Sequence, residues 1–69
     1  DIVTCNPNIL GGLPVFTGTR VPVESLFDYL KRGHGVEYFL EQFPSVKPEQ
    51  VEALLDEASI RITNQPATP

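Results

Sequence analysis

Apolar residues recur along the middle of this chain at one repeated spacing. Val23, Leu26, Phe27 and Leu30 stand at i, i+3, i+4 and i+7. Val36, Phe39, Leu40 and Phe43 repeat the interval, and Val51, Leu54, Leu55 and Ala58 repeat it again, with Ile62 one turn further. That spacing lays an apolar stripe along each of three amphipathic helices. Three stripes facing inward make one small core. The carboxylates Glu37, Glu41, Glu49, Glu52, Asp56 and Glu57 mostly fall off the stripes and read as solvated helix faces.

The residues between the stripes agree with this reading. Pro22 fixes the entry to the first helix, and Lys31, Arg32 and Gly33 form a C-terminal stop with basic residues in the last turn. Gly35 can serve as a modest N-cap for the second helix, and Pro44 ends it. Pro48 suits the first position of the third helix, with Glu49 at its positive end and Ser45 as another cap candidate. The helices then run to roughly nine, eight and fourteen residues. A short helix, a short turn and a longer helix have the outline of a helix-turn-helix, with the preceding helix closing a trihelical core.

Ahead of the helices the period disappears. Residues 1–13 read as irregular or short extended structure, punctuated by the turn signals "CNPN" and "GGLP". "VF" and "RV" flank Thr17-Gly18-Thr19 and fit two short strands with Gly18 at positive φ in the tip. Strands this short need a helical body to lie on. The rival reading of Thr-Gly-Thr-Arg as an anion cradle is weaker. Such a cradle takes several glycines and a helix N-terminus aimed at the anion, whereas the next helix begins only beyond Arg20-Val21-Pro22. The segment "TNQPATP" has no period and two prolines, so a flexible tail is expected over 63–69. The fold expected is mainly α, a short N-terminal β-hairpin followed by a three-helix, helix-turn-helix-like (homeodomain-like) bundle, in a single domain over 1–62.

Size sharpens this picture. A chain of 69 residues makes one domain that buries only about 60% of its unfolded surface. Help from a partner or a homodimer is therefore expected. Cys5 is the only cysteine, so there is no intrachain disulfide and no cysteine-based metal site, and a lone thiol suits a reducing cytoplasm. His34 is the only histidine, with no second ligand at metal spacing, and is expected as an exposed turn residue. Nothing brings it to Cys5 as a nucleophile–base pair. Paired-acid hydrolysis needs a cleft that a small bundle hardly offers. No catalytic residue, cofactor or metal is expected, and the chain does not read as an enzyme. No apolar run is long enough to span a membrane and none reads as a signal peptide. The chain opens on Asp1 and holds no methionine, so it is expected to be a piece of a longer product.

Charge bears on what is bound. Nine acids against five bases leave −4, which argues against a general polyanion binder. The residues available to DNA are Arg20, Lys31, Arg32, His34, Lys47 and Gln50. Arg20 has competing readings: it can be solvated, pair with Glu24 or Asp28, or cap a helix C-terminus. In a helix-turn-helix the third helix enters the major groove, yet from Pro48 to Arg61 it carries four acids and one base. DNA affinity rests largely on neutralising phosphates, so helix shape and helix charge disagree. Tyr29 and Tyr38 lie beside the apolar stripes, where tyrosine serves either half-buried packing or an interface. Together with Glu49, Glu52 and Asp56 they would suit a basic protein partner.

At this point the chain resembles a family. "GGLPVFTGTRVPV", the Gly33 turn with "VEYFLEQFP", and "KPEQVEALLDEA", in that order within residues 6–58, are similar to the DUF433 family. The Gly-x-Pro-Val-x-x-Gly-Thr-Arg-x-Pro-Val run is the specific part. The resemblance implies a hairpin followed by a helix-turn-helix-like trihelical domain in a bacterial or archaeal setting. It also implies an antitoxin of a type II toxin–antitoxin pair, encoded beside a PIN-like RNase toxin, with no catalytic residues. The matching positions Gly12, Pro14, Gly18, Thr19, Arg20, Pro22 and Gly33 read as structural. Gly35 and Lys47 depart from the family's usual helix caps. The functions in view are thus a partner-binding antitoxin, a DNA-binding regulator that would need a dimer to pair half-sites, and an adaptor domain.

Overall fold

The computed structural model describes residues 1–63. Its elements in chain order are β1 (Val3–Cys5), a 3-10 turn (Leu10–Gly12), β2 (Pro14–Phe16), α1 (Val23–Lys31), α2 (Val36–Gln42) and α3 (Pro48–Thr63). The expected architecture, a small antiparallel hairpin followed by three helices, is the one observed.

The strand pairing differs from the expectation. β2 pairs antiparallel with β1, in the register Val3↔Phe16, Thr4↔Val15 and Cys5↔Pro14. β1 lies in the segment read as irregular or short extended structure, and it forms one open edge of a two-stranded sheet. "RV" forms no strand; its Val21 O accepts from Phe16 N at 3.0 Å, and the following Pro22 makes an isolated bridge with Val15. The reason is local: Pro22 has no N–H to continue a ladder, and the next residue already begins α1. The turn itself is as expected. Thr19 N donates to Phe16 O at 2.9 Å, with Gly18 at φ +80° in the third position, where a type II turn requires positive φ. The buried Thr19 hydroxyl locks it, donating to Phe16 O at 2.7 Å and accepting from Val21 N at 3.1 Å.

The core draws on β2, the three helices and the loops between them. Phe16 from β2, Leu26 from α1, Phe39 from α2, Val51 from α3 and the loop residues Val21 and Val46 form one buried cluster. Phe16 and Phe39 meet with ring centroids 6.1 Å apart, and Phe43 lies 4.9 Å from Phe39. Each fully buried Phe, Leu or Val contributes about 1.5–3 kcal/mol of hydrophobic stabilisation.

Helix ends follow the sequence signals closely. Past α1, Gly33 N donates to Leu30 O and His34 N to Tyr29 O, both at 3.0 Å, with Gly33 at φ +87°. That pair of bonds is a Schellman motif, and the left-handed position explains the glycine. α2 is capped by Gly35 without a side-chain bond. At α3 the first turn hangs from Lys47, whose carbonyl accepts from Gln50 N at 3.0 Å. The Gln50 amide reaches back to accept from Lys47 N at 3.0 Å, and its Nε2 donates to Thr17 O at 2.9 Å. The start of α3 is thereby tied to the β2 turn.

The third stripe is only partly interior. Val51 is buried and Leu54, Leu55 and Ala58 are half-buried, but Ile62 is 71% exposed. α3 outruns the body it packs on, and Thr63, expected in the tail, closes it with a hydroxyl bond to Ser59 O at 2.8 Å. The rest of the expected tail lies outside the described residues.

Candidate partner-binding surface

The connection from β1 to β2 shapes one exposed apolar surface of the domain. Asn6 starts it with an Asx turn, its Oδ1 accepting from Asn8 N at 2.9 Å and its carbonyl from Ile9 N at 2.8 Å. Leu10, Gly11 and Gly12 then take φ values of +50°, +67° and +91° in succession. Glycine adopts this region freely, but a leucine there costs about 1–2 kcal/mol. The left-handed run leaves Leu10 46% and Leu13 44% exposed. Beside them opens a groove of ≈ 250 Å³ lined by Leu13, Pro14, Pro22, Val23, Glu24 and Phe27. Two prolines in its wall present rigid hydrocarbon with no N–H to satisfy. Glu24 is the one charged group of the lining.

A second cleft, of ≈ 230 Å³, lies between α1 and the start of α2 and is lined by Ser25, Asp28, Tyr29, Arg32, His34 and Tyr38. The Schellman turn places His34 against Tyr29, with ring centroids 5.5 Å apart, as the apolar contact that accompanies such a motif. Tyr38, one turn into α2, stacks on His34 at 4.5 Å and 22°. The cleft joins residues from two separate expectations: Tyr29 and Tyr38 as partner contacts, Arg32 and His34 as nucleic-acid contacts. Lys31 is exposed in the last turn of α1, next to Arg32 in sequence.

The other candidates lie elsewhere. Arg20 is exposed and lines a shallow depression with Gly18, Thr19 and Ser45. Lys47 is exposed at the head of α3, and Gln50 is engaged by the two bonds described above. Glu49, Glu52 and Asp56 are exposed along α3 and line none of the three concavities. Among the described residues, no group of three or more His, Cys, Asp and Glu is placed to hold a metal ion. No helix among them is long and apolar enough to cross a membrane. The Leu10–Leu13 surface was missed by sequence reasoning. Its signal was nevertheless present: two leucines bracketing Gly11-Gly12 belong to no periodic stripe, so no core face accounts for them.

Comparison with known proteins adds the following. The profile of the DUF433 family, described as a protein of unknown function, matches residues 3–58. A relative named Uncharacterized protein y4eO, from Sinorhizobium fredii (strain NBRC 101917 / NGR234), is 49% identical over 51 residues, which is 74% of this chain and 23% of that protein. The chain thus spans about a quarter of that curated relative's length. No solved structure matches.

Proposed function

The chain belongs to the DUF433 family, and from that premise we propose that it is a non-enzymatic, partner-binding module of the antitoxin kind. In this reading it captures a PIN-like RNase in the cytoplasm and neutralises it. The observation that carries the reading is the exposed apolar surface made by Leu10, Leu13 and the Pro14–Pro22–Phe27 groove. Exposed apolar side chains at a concavity mark an interaction site; Leu13 lines the groove, and Leu10, three residues before it in the chain, is exposed on a strained backbone. Buried apolar anchors dominate binding energy in such contacts. Glu24 at the groove and the −4 chain favour a partner with basic residues around its apolar anchor. The choice of a PIN-like RNase follows the family resemblance.

Co-expression of the tagged chain with a PIN-like RNase tests this reading. Near-stoichiometric co-purification with loss of RNase activity is expected. Leu13→Glu should abolish both while leaving the fold intact, because Leu13 lies outside the buried core. Equal recovery with Leu13→Glu would place the contact elsewhere, and no complex at all would overturn the proposal.

Reading of duplex DNA by α3 is the alternative, and two observations weigh against it. Gln50, best placed in the first turn to reach a base edge, has its amide committed to Lys47 and Thr17. The helix that would lie in the groove carries Glu49, Glu52, Asp56 and Glu57 against Arg61 alone. Salt-dependent duplex binding that Lys47→Glu removes would restore that alternative. An adaptor role would appear as a stable assembly with a different protein.

A further inference from the structure

We propose that the cleft between α1 and the start of α2 is a nucleotide-binding site, taking one nucleobase on the His34–Tyr38 stack with its phosphate toward Arg32. Part of this cleft is not required by the fold. The Schellman turn accounts for Tyr29 against His34. It does not account for Tyr38, whose ring is stacked on His34 at 4.5 Å and 22° while the residue stays 42% exposed. An exposed, nearly parallel pair of rings is a surface on which a planar base extends the stack, and Tyr and His are side chains used in this way. Tyr29, 6.0 Å from Tyr38 and half-buried against Phe39 and Phe43, anchors the pair to the core.

The remaining lining completes the chemistry of a nucleotide. Arg32 supplies a planar fork of donors suited to phosphate, and the exposed Lys31 adds a second positive charge at that end of α1. Asp28 is an acceptor-only carboxylate and Ser25 a hydroxyl that can donate or accept. They match the donor-bearing edge of a base, and guanine, with two adjacent donors, better than uracil. The ≈ 230 Å³ volume suits a single base rather than a row of them. A soluble mononucleotide and the end of a single strand present this same chemistry.

The test is an NMR titration of the full chain. Tyr29 and Tyr38 are its only tyrosines and His34 its only histidine, so their ring resonances report on the cleft directly. GMP at millimolar concentration should shift all three rings saturably, and more strongly than UMP. Tyr38→Ala should weaken GMP roughly tenfold or more, Tyr38→Phe should retain it, and Arg32→Gln should reduce GMP to the affinity of guanosine. Amide resonances outside the cleft verify that each variant is folded. A short single-stranded guanine-containing oligoribonucleotide separates the sources: affinity equal to GMP assigns the site to a soluble nucleotide, and markedly tighter binding assigns it to a strand. Rings unmoved by GMP and by the oligonucleotide, or shifts that Tyr38→Ala leaves unchanged, would overturn the proposal.

Discussion

Leu10 illustrates how a single backbone angle bears on this protein. At φ +50° it occupies a region where asparagine and glycine are at ease and leucine is not. Leu10→Asn should therefore raise stability, by up to about 1 kcal/mol, while weakening capture of the partner. Thermal unfolding measured alongside co-purification checks both directions, and a drop in melting temperature would show that the side chain is holding the fold. Gly33 represents the opposite case: its φ of +87° meets residue preference and serves the Schellman turn. Thr19 shows a third kind of economy. One hydroxyl joins Phe16 O to Val21 N and closes the turn from inside, a role that no spacing rule in the sequence announces.

Among the elements, the helices and the presence of a short hairpin were legible, and the pairing within the sheet was not. Periodicity of apolar residues, Gly33, Pro44 and Pro48 located three helices to within a residue or two, because each signal is local and acts through the backbone of its own segment. Strand pairing depends on what is opposite, and the sequence of β2 does not say whether β1 or "RV" lies there. Ile2, Val3 and Thr4 are consecutive β-branched residues, which is the hint that was available. Exposure at the end of α3 was likewise hidden, since the stripe continues to Ile62 although the body does not. Of the candidate sites, the aromatic cleft was visible only as scattered residues, and the Leu10–Leu13 surface only as two leucines without a stripe. Gln50 connects these scales, since its amide caps α3 and also holds the β2 turn. Gln50→Ala should cost about 1–2 kcal/mol, as the loss of a cap together with a turn contact. Chemical denaturation measures this cost, and hydrogen exchange at Lys47 should rise with it.

At the scale of the molecule, stability is concentrated in a few side chains. Phe16→Ala empties the middle of the core and should cost about 3–5 kcal/mol, enough to unfold much of a domain this small at ambient temperature. Replacing Ile60 and Ile62 together by lysine should move stability by less than about 0.5 kcal/mol, because both side chains are already exposed. Circular dichroism of the two variants separates the load-sharing centre from the projecting end of α3. The open edge of β1 has a consequence of another kind. The bond from Thr17 N to Ile2 O turns Ile2 and Thr4 toward β2 and leaves the N–H and C=O of Val3 and Cys5 facing outward. No lysine or proline interrupts this edge, which is how proteins usually blunt one. In concentrated solution that strip is a template on which another molecule can add its own strand, so loss of soluble protein should begin at the sheet rather than through melting of the helices.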